Sequence, residues 1–167
     1  MISFSWDSFI VLCFIGASVY GFILPKNKIA VICLAAYVAS AIAQVWSQTV
    51  FQFITARGGA LGSWTGNLSL FSVSVILFIG FIALLVTRGG LTADEQRSGV
   101  YGPFIMTAVG FFTAGLVISS LMTLMPEVLR ANLLSTSKTA VLVWKYHIWW
   151  IVLPPLVIIT TSFFRKL

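Results

Sequence analysis

The sequence predicts an all-α polytopic membrane bundle with five transmembrane helices. The 167 residues are 59% hydrophobic and only 8% charged, whereas soluble domains have about a quarter of their residues charged. The apolar residues fall into runs of the length that a helix needs to cross about 30 Å of hydrocarbon, roughly 20 residues. Four spans are the alternative, if the last run does not cross. The whole chain, 1–167, is predicted to be one transmembrane domain.

The first two spans are predicted over residues 8–24 and 29–46. Only a few residues separate them, so they should form an antiparallel helical hairpin. The stretch that follows, 47–56, places Val50, Phe51 and Ile54 on one helical face. This pattern is typical of a short interfacial helix or of a frayed continuation of the second span. Residues 57–67 are rich in glycine and predict a loop.

The third and fourth spans, over 68–87 and 103–125, contain no charged residue. They are the clearest transmembrane predictions in the chain. Residues 128–138 read as an amphipathic surface stretch. The fifth span is predicted over 144–164, followed by a basic C-terminus.

Charge placement predicts an orientation, because cytoplasmic loops of membrane proteins are enriched in Lys and Arg. With five spans, one side of the membrane receives six of these residues: Lys26, Lys28, Arg88, Arg97, Arg165 and Lys166. The other side receives three, or four with Lys145: Arg57, Arg130 and Lys138. This bias puts the N-terminus outside and the C-terminus in the cytoplasm. Because the cations are scattered singly between apolar runs, they do not form a patch for nucleic acid.

The start of the last span combines aromatic rings with a lysine and the single histidine of the chain. Aromatic side chains concentrate at membrane interfaces, and lysine can extend its ammonium group to water there. This predicts a set of interface anchors: Trp144, Lys145, Tyr146, His147, Trp149 and Trp150. No carboxylate lies near His147 in the sequence, so an interfacial role is favoured; a functional histidine, such as a proton relay, is the alternative.

Two consecutive prolines, Pro154 and Pro155, lie inside the same span. Each lacks an N–H group, so the carbonyls of Trp150 and Ile151 lose their helical donors and the helix should kink or break. A packing kink is the simpler interpretation. A hinge or re-entrant element is the alternative.

Signatures of catalysis, of metal binding and of ion-coupled transport are missing. There is no H-E-x-x-H, no phosphate-binding glycine loop and no Cys-x-x-Cys, and spans two, three and four have no ionisable core residue of the kind that marks ion paths. We therefore predict no catalytic residue, no metal and no cofactor. Binding of a lipid or quinone inside the bundle would leave no recognisable pattern.

Small residues occur at helix-packing spacing in the fourth span, where they allow helix backbones to approach closely. The set consists of Ala108, Gly110, Ala114, Gly115 and Ser119. Two interpretations stay open: packing within the chain, or a face for self-association or for another membrane protein.

Residues 7–125 resemble the colicin V production (CvpA) family of small bacterial inner-membrane proteins. The resemblance rests on Asp7 ahead of the first span, on Gly16 and Gly21 within it, and on the arginine and glycines that lead into the fourth: Arg97, Gly99, Gly102, Gly110 and Gly115. The chain departs from the family in its loose glycine spacing, in the separation of Asp94 from Arg97, and in its additional Pro-Pro segment.

The resemblance implies a non-enzymatic accessory or scaffold protein of the bacterial inner membrane, linked to toxin export and envelope processes and working through helix–helix contacts. It supplies no catalytic residues. An oligomeric pore or holin-like channel is the alternative, although the serines of the third span make only a weak polar stripe.

Overall fold

A computed structural model describes residues 5–23, 26–56, 69–88 and 102–163, which form seven helices and no strand. In chain order these are α1 Trp6–Ile23, α2 Lys26–Ala56, α3 Leu70–Arg88, α4 Gly102–Leu124, α5 Glu127–Thr136, α6 Lys138–Lys145 and α7 His147–Phe163. The all-α prediction is confirmed. Four helices are long and apolar enough to cross a membrane, and α6 with α7 would make a fifth span. The predicted loop over 57–67, Asp94, Arg97 and the basic C-terminus lie outside the described residues.

The second helix is longer than predicted. The sequence suggested a separate or frayed element after residue 46, but α2 continues without interruption through 31 residues to Ala56. No glycine or proline occurs within it, so nothing in its backbone chemistry ends the helix earlier. At 1.5 Å per residue it is about 46 Å long.

The last span also differs from its prediction, in both its start and its break. The amphipathic stretch becomes α5, and α6 begins directly after it, at Lys138. The break lies at Tyr146, where α6 and α7 meet at 62°. In contrast, α7 runs through both Pro154 and Pro155 without interruption.

The bent pair α6–α7 extends along the bundle from one end to the other. At its start, Ser137 donates a hydrogen bond to Asp7 near the beginning of α1; we call this the Asp7 end. Farther along, Val157 packs against Ile29 and Met106, near the beginnings of α2 and α4. The pair therefore has the extent of a span, although neither helix is long enough alone.

The fourth helix is the centre of the bundle and packs against α1, α2 and α7. Half of its apolar stretch is buried, compared with 17% in α1 and in α3. Its antiparallel contact with α1 is backbone to backbone: a Cβ atom on Gly110 would lie 2.5 Å from the carbonyl oxygen of Ala17. Only glycine allows this approach.

The outside of the bundle is apolar. Large hydrophobic side chains are exposed on all four long helices, for example Leu12, Val45, Ile76 and Phe104. Monomeric soluble proteins rarely expose such continuous apolar surface. The exterior matches lipid as its solvent.

Candidate functional site

A polar groove interrupts this apolar exterior between α2 and α7. Both helices pack on α4 but barely on each other, which leaves a cavity of about 480 Å³ with α4 as its floor. We call it the α2–α7 groove. Its lining residues come from four helices, α2, α4, α6 and α7: Tyr37, Ser40, Ala41, Gln44, Leu116, Ser119, Ser120, Thr123, Trp144, His147 and Ile151.

The floor of the groove contains three hydroxyl groups. Thr123 donates its hydroxyl to the backbone carbonyl of Ser119 at 3.0 Å, a local bond within the helix. Ser119 itself is only 1% exposed, and its hydroxyl has no hydrogen-bond partner among the described residues. A buried polar group without a partner costs roughly 1–3 kcal/mol, so this hydroxyl is a feature that requires an explanation.

The α2 wall adds an amide and two further hydroxyls. Ser40 and Gln44 are four residues apart and so share a helical face. The Nε2 group of Gln44 donates to Oγ of Ser40 at 3.1 Å. Gln44 is exposed at the outside of the bundle, so this polar pair lies at the open edge of the groove.

The opposite wall is the broken span, where three side chains satisfy carbonyls that lack their usual helical donors. The Val143 carbonyl accepts from Nε1 of Trp150 at 3.1 Å, and the Trp144 carbonyl is 3.1 Å from Nδ1 of His147. The Ile151 carbonyl, deprived of its donor by Pro155, accepts from the hydroxyl of Tyr37. Side chains thus satisfy these three carbonyls, as a helix interruption in an apolar surrounding requires.

The contact of His147 fixes the arrangement of its ring protons. A carbonyl oxygen only accepts hydrogen bonds, so Nδ1 of His147 must be the donor to Trp144. In the neutral ring this leaves Nε2 as an acceptor. The imidazole also stacks on the indole of Trp144, with centroids 5.3 Å apart and planes at 18°, and the guanidinium of Arg130 in α5 lies 4.7 Å from the centre of the Trp144 ring.

The small residues predicted in α4 do not share one neighbour. Gly110 contacts α1, and Ala114 is buried with Ile10 and Phe14 of the same helix. Gly115 faces α7 instead: a Cβ atom there would be 2.1 Å from the ring of Trp150. Ser119 lines the groove, and Ala108 is half-buried. At Gly110 and Gly115 the absence of a Cβ atom allows close contact with other helices of the same chain.

The residues predicted as interface anchors also separate into groups. Lys145, Tyr146 and Trp149 are exposed, with the Lys145 ammonium 5.7 Å from the Tyr146 ring centre. Trp144 and His147 line the groove. Trp150 is 9% exposed and lies in the interior, close to Phe14, where the sequence grouped it with the anchors. Pro154 is buried and Pro155 half-buried beyond it.

Asp7 connects the start of α1 to the start of the broken span. Its Oδ1 atom accepts from the hydroxyl of Ser137 at 2.7 Å and from the backbone N–H of Thr139 at 2.8 Å. Ser137 in turn caps α6 by accepting from the Ala140 N–H at 3.0 Å. A carboxylate at a helix N-terminus is stabilising. Asp7 lies in the first turn of α1 and also binds the first turn of α6, so it stabilises both helices.

The groove is polar but carries no fixed charge, since its lining residues include no Asp, Glu, Lys or Arg. Its histidine therefore lacks a carboxylate to orient it. No group of three or more metal-ligating side chains occurs among the described residues. The chemistry available in the groove is hydrogen bonding and aromatic contact.

Sequence reasoning did not identify Tyr37, Gln44, Ser120, Thr123 or Arg130 as site residues. A signal was present in the spacing: Ser40 and Gln44 are four apart, as are Ser119 and Thr123. Each pair makes a polar patch on one side of an apolar helix. Comparisons with known protein families, with characterised proteins and with solved structures find no match to this chain.

Proposed function

We propose that this protein is a non-enzymatic, multi-pass membrane protein whose function is to bind a small neutral molecule in the α2–α7 groove. The observation that carries the proposal is the hydroxyl of Ser119, buried at the floor of the groove without a partner among the described residues. A bound molecule would supply the missing hydrogen bond once the Ser119 side chain turns toward the cavity.

The surroundings of the groove strengthen this argument. Lipid tails offer no hydrogen bonds, so polar groups at the outside of a membrane bundle are costly unless something satisfies them. Gln44 and Ser40 lie at such a place. The cavity volume falls within the range of small-molecule sites, about 300–1,000 Å³.

The lining supports binding rather than catalysis. Of its polar groups, Tyr37 and the Nδ1 atom of His147 are occupied with backbone carbonyls that the broken span leaves open. General acid–base work needs a group that is free to move a proton and is oriented for it. Here the groups hold the wall of the site in place.

Native mass spectrometry of protein in nanodiscs made from bacterial membranes tests the proposal. We expect one adduct of constant mass on the wild type and on Gln52→Leu, and at least a severalfold loss on Gln44→Leu. Both substitutions make the same change on exposed residues of α2, but only Gln44 lines the groove. No adduct, or equal adducts on both variants, would contradict it.

The proposed topology has five spans, with the N-terminus outside and the C-terminus in the cytoplasm of a bacterial inner membrane. The length of the α6–α7 pair, which runs from Asp7 to the region of Ile29 and Met106, supports counting it as a span. A cysteine placed at Lys166 should react with an impermeant thiol reagent only from the cytoplasmic side. Labelling from outside would reverse the orientation or leave four spans.

An accessory role of the CvpA type is the second proposal, in which binding serves toxin export or an envelope process in contact with another membrane protein or with a second copy. Two lipid-facing glycines favour it. Gly16 on α1 and Gly80 on α3 are exposed, and a Cβ atom at either would meet nothing within 4 Å. Glycines in lipid-facing positions let a partner helix approach closely.

Cysteine crosslinking in membranes separates these positions from the internal ones. A cysteine at Gly80 should crosslink to a partner or a second copy, while one at the exposed control Ile79, which lies on a different face of the same helix, should do so far less. Equal crosslinking at the two positions would show that Gly80 does not mark a partner-binding face. Release of solute from protein-loaded liposomes, rising steeply with protein density, would instead support the alternative of an oligomeric pore.

A further inference from the structure

We infer that the ligand of the α2–α7 groove is a neutral aromatic ring that bears a hydroxyl group and an apolar tail, a molecule of the hydroquinone class. The inference rests on the proposed binding function and adds to it the chemistry of the ligand. Four properties of the groove lead to it: charge, hydrogen-bonding capacity, ring content and the position of its opening.

The charge of the lining excludes an ionic ligand. Among the lining residues there is no Asp, Glu, Lys or Arg, and an ion held in an apolar bundle without a counter-charge is strongly disfavoured. Arg130, a cation close to the groove, lies over the indole of Trp144. A neutral molecule is therefore the matching ligand.

The hydrogen-bonding capacity that is left over selects for a hydroxyl. Once the contacts among the described residues are counted, the hydroxyl of Ser119 remains a donor without a partner, and Nε2 of His147 is an acceptor when Nδ1 carries the only ring proton. A ligand carbonyl can accept a hydrogen bond from Ser119 but has no proton to donate to His147. A ligand hydroxyl can accept from Ser119 and also donate to His147.

The ring content of the wall favours an aromatic ligand. Three rings line the groove: Tyr37, Trp144 and His147. The last two already stack on each other, at 18°, so a ligand ring can contact only their remaining surfaces and the ring of Tyr37. Aromatic rings favour such offset or edge contacts with another ring. A purely aliphatic alcohol would satisfy the hydrogen bonds but not this surface.

The opening of the groove accounts for the apolar tail. Gln44 and Ile151 are exposed on opposite sides of the opening, on α2 and α7. These helices barely touch, and the exterior around them is apolar. A ligand whose ring enters between the two helices can leave its tail in the lipid, from which it also arrives.

Equilibrium titration of the purified protein in detergent micelles tests the class with three probes: decylbenzohydroquinone under anaerobic conditions, its oxidised benzoquinone, and 1,2-dioctanoylglycerol as a hydroxylated molecule without a ring. We expect the hydroquinone to bind about tenfold more tightly than the quinone, the equivalent of one hydrogen bond. The diacylglycerol should bind more weakly than the hydroquinone.

Two variants assign the hydrogen bonds. His147→Phe keeps a ring against Trp144 but removes both the Nε2 acceptor and the Nδ1 donor to the Trp144 carbonyl. It should therefore abolish the preference for the hydroquinone over the quinone, whatever loss of affinity the two ligands share. Ser119→Ala removes a donor that both ligands use, so it should lower the affinity for the hydroquinone and for the quinone by a similar factor. Gln52→Leu, outside the groove, should change neither affinity. The melting temperature of each variant reports whether it is folded.

The outcomes separate the class from the proposed function. Quinone bound as tightly as hydroquinone would overturn the hydroxyl requirement, and diacylglycerol bound as tightly would overturn the ring; in both cases binding in the groove stands. If no probe binds while the native adduct persists on the wild type, the ligand class is wrong. If the adduct is also missing, the proposed function fails with it.

Discussion

Small residues have opposite effects on two sides of α4: on one side they allow close helix contact, and on the other they line a cavity. Toward α1, Gly110 and Gly21 bring two backbones together so closely that an added Cβ atom would lie 3.1–3.2 Å from the opposite glycine Cα. Toward α2 and α7, Ser119 and Ser120 meet no such surface and line a groove. The first side excludes every other molecule, whereas the second leaves room for one.

The difference shows that small residues in a membrane helix have two uses. A glycine gains close van der Waals contact when a helix covers it. A serine in an uncovered position leaves a hydroxyl that an apolar surrounding penalises. The same sequence pattern therefore predicts either a tight contact or a ligand site, depending on whether a neighbouring helix closes over it.

The largest effect is expected from breaking the closed side. Gly110→Ala places a methyl group against the backbone of α1 at Ala17, which cannot rotate away as a side chain can. We expect a loss of about 1–3 kcal/mol, the usual range for overpacking, measured by thermal unfolding in detergent. Gly16→Ala is the control, since open space surrounds Gly16 and alanine favours helix by up to about 1 kcal/mol. Equal melting temperatures would contradict the contact.

A somewhat smaller effect is expected where α1 holds the broken span. Asp7→Ala removes the acceptor of the Ser137 hydroxyl and of the Thr139 N–H, and losing these bonds at the start of α6 destabilises that helix. The Thr139 amide should exchange hydrogen faster, with Asp7→Asn intermediate because its side chain keeps one acceptor oxygen. Unchanged exchange at Thr139 would show that α6 does not depend on this carboxylate.

The smallest effect, and one of opposite sign, is expected in the groove. Ser119→Ala removes a buried hydroxyl without a partner, so the ligand-free protein should gain about 1 kcal/mol. The control is Ser74→Ala on α3, where the buried hydroxyl donates to the Leu70 carbonyl at 2.8 Å and no gain is expected. A destabilised Ser119→Ala protein would mean that the hydroxyl is already satisfied.

Much of the architecture was predictable because it follows from local chemistry. Runs of apolar residues indicated α1, α3 and α4, and the two prolines correctly identified Ile151 as a carbonyl that needs a new donor. The donor itself, Tyr37, was not predictable, since it lies on another helix. The position of the break at Tyr146 was missed for a related reason: the donors from Trp150 and His147 that support it are defined only by the folded geometry.

The groove was the least predictable feature. His147 lies about a hundred residues from Gln44 along the chain, and the two meet only because α2 and the broken span pack on neighbouring sides of α4. Interfacial aromatic residues and an internal aromatic wall have the same composition. The sequence around His147 therefore predicted an anchor, and helix packing decides which of its rings face the groove.

The bond from Tyr37 to the Ile151 carbonyl imposes an order on biogenesis. The two residues are 114 positions apart, so a ribosome delivers the donor long before the acceptor, and earlier segments generally fold first. We therefore expect α2 to be in place before α7 is added to the bundle. A circular permutant that is translated from α6 first should then insert α6 and α7 poorly.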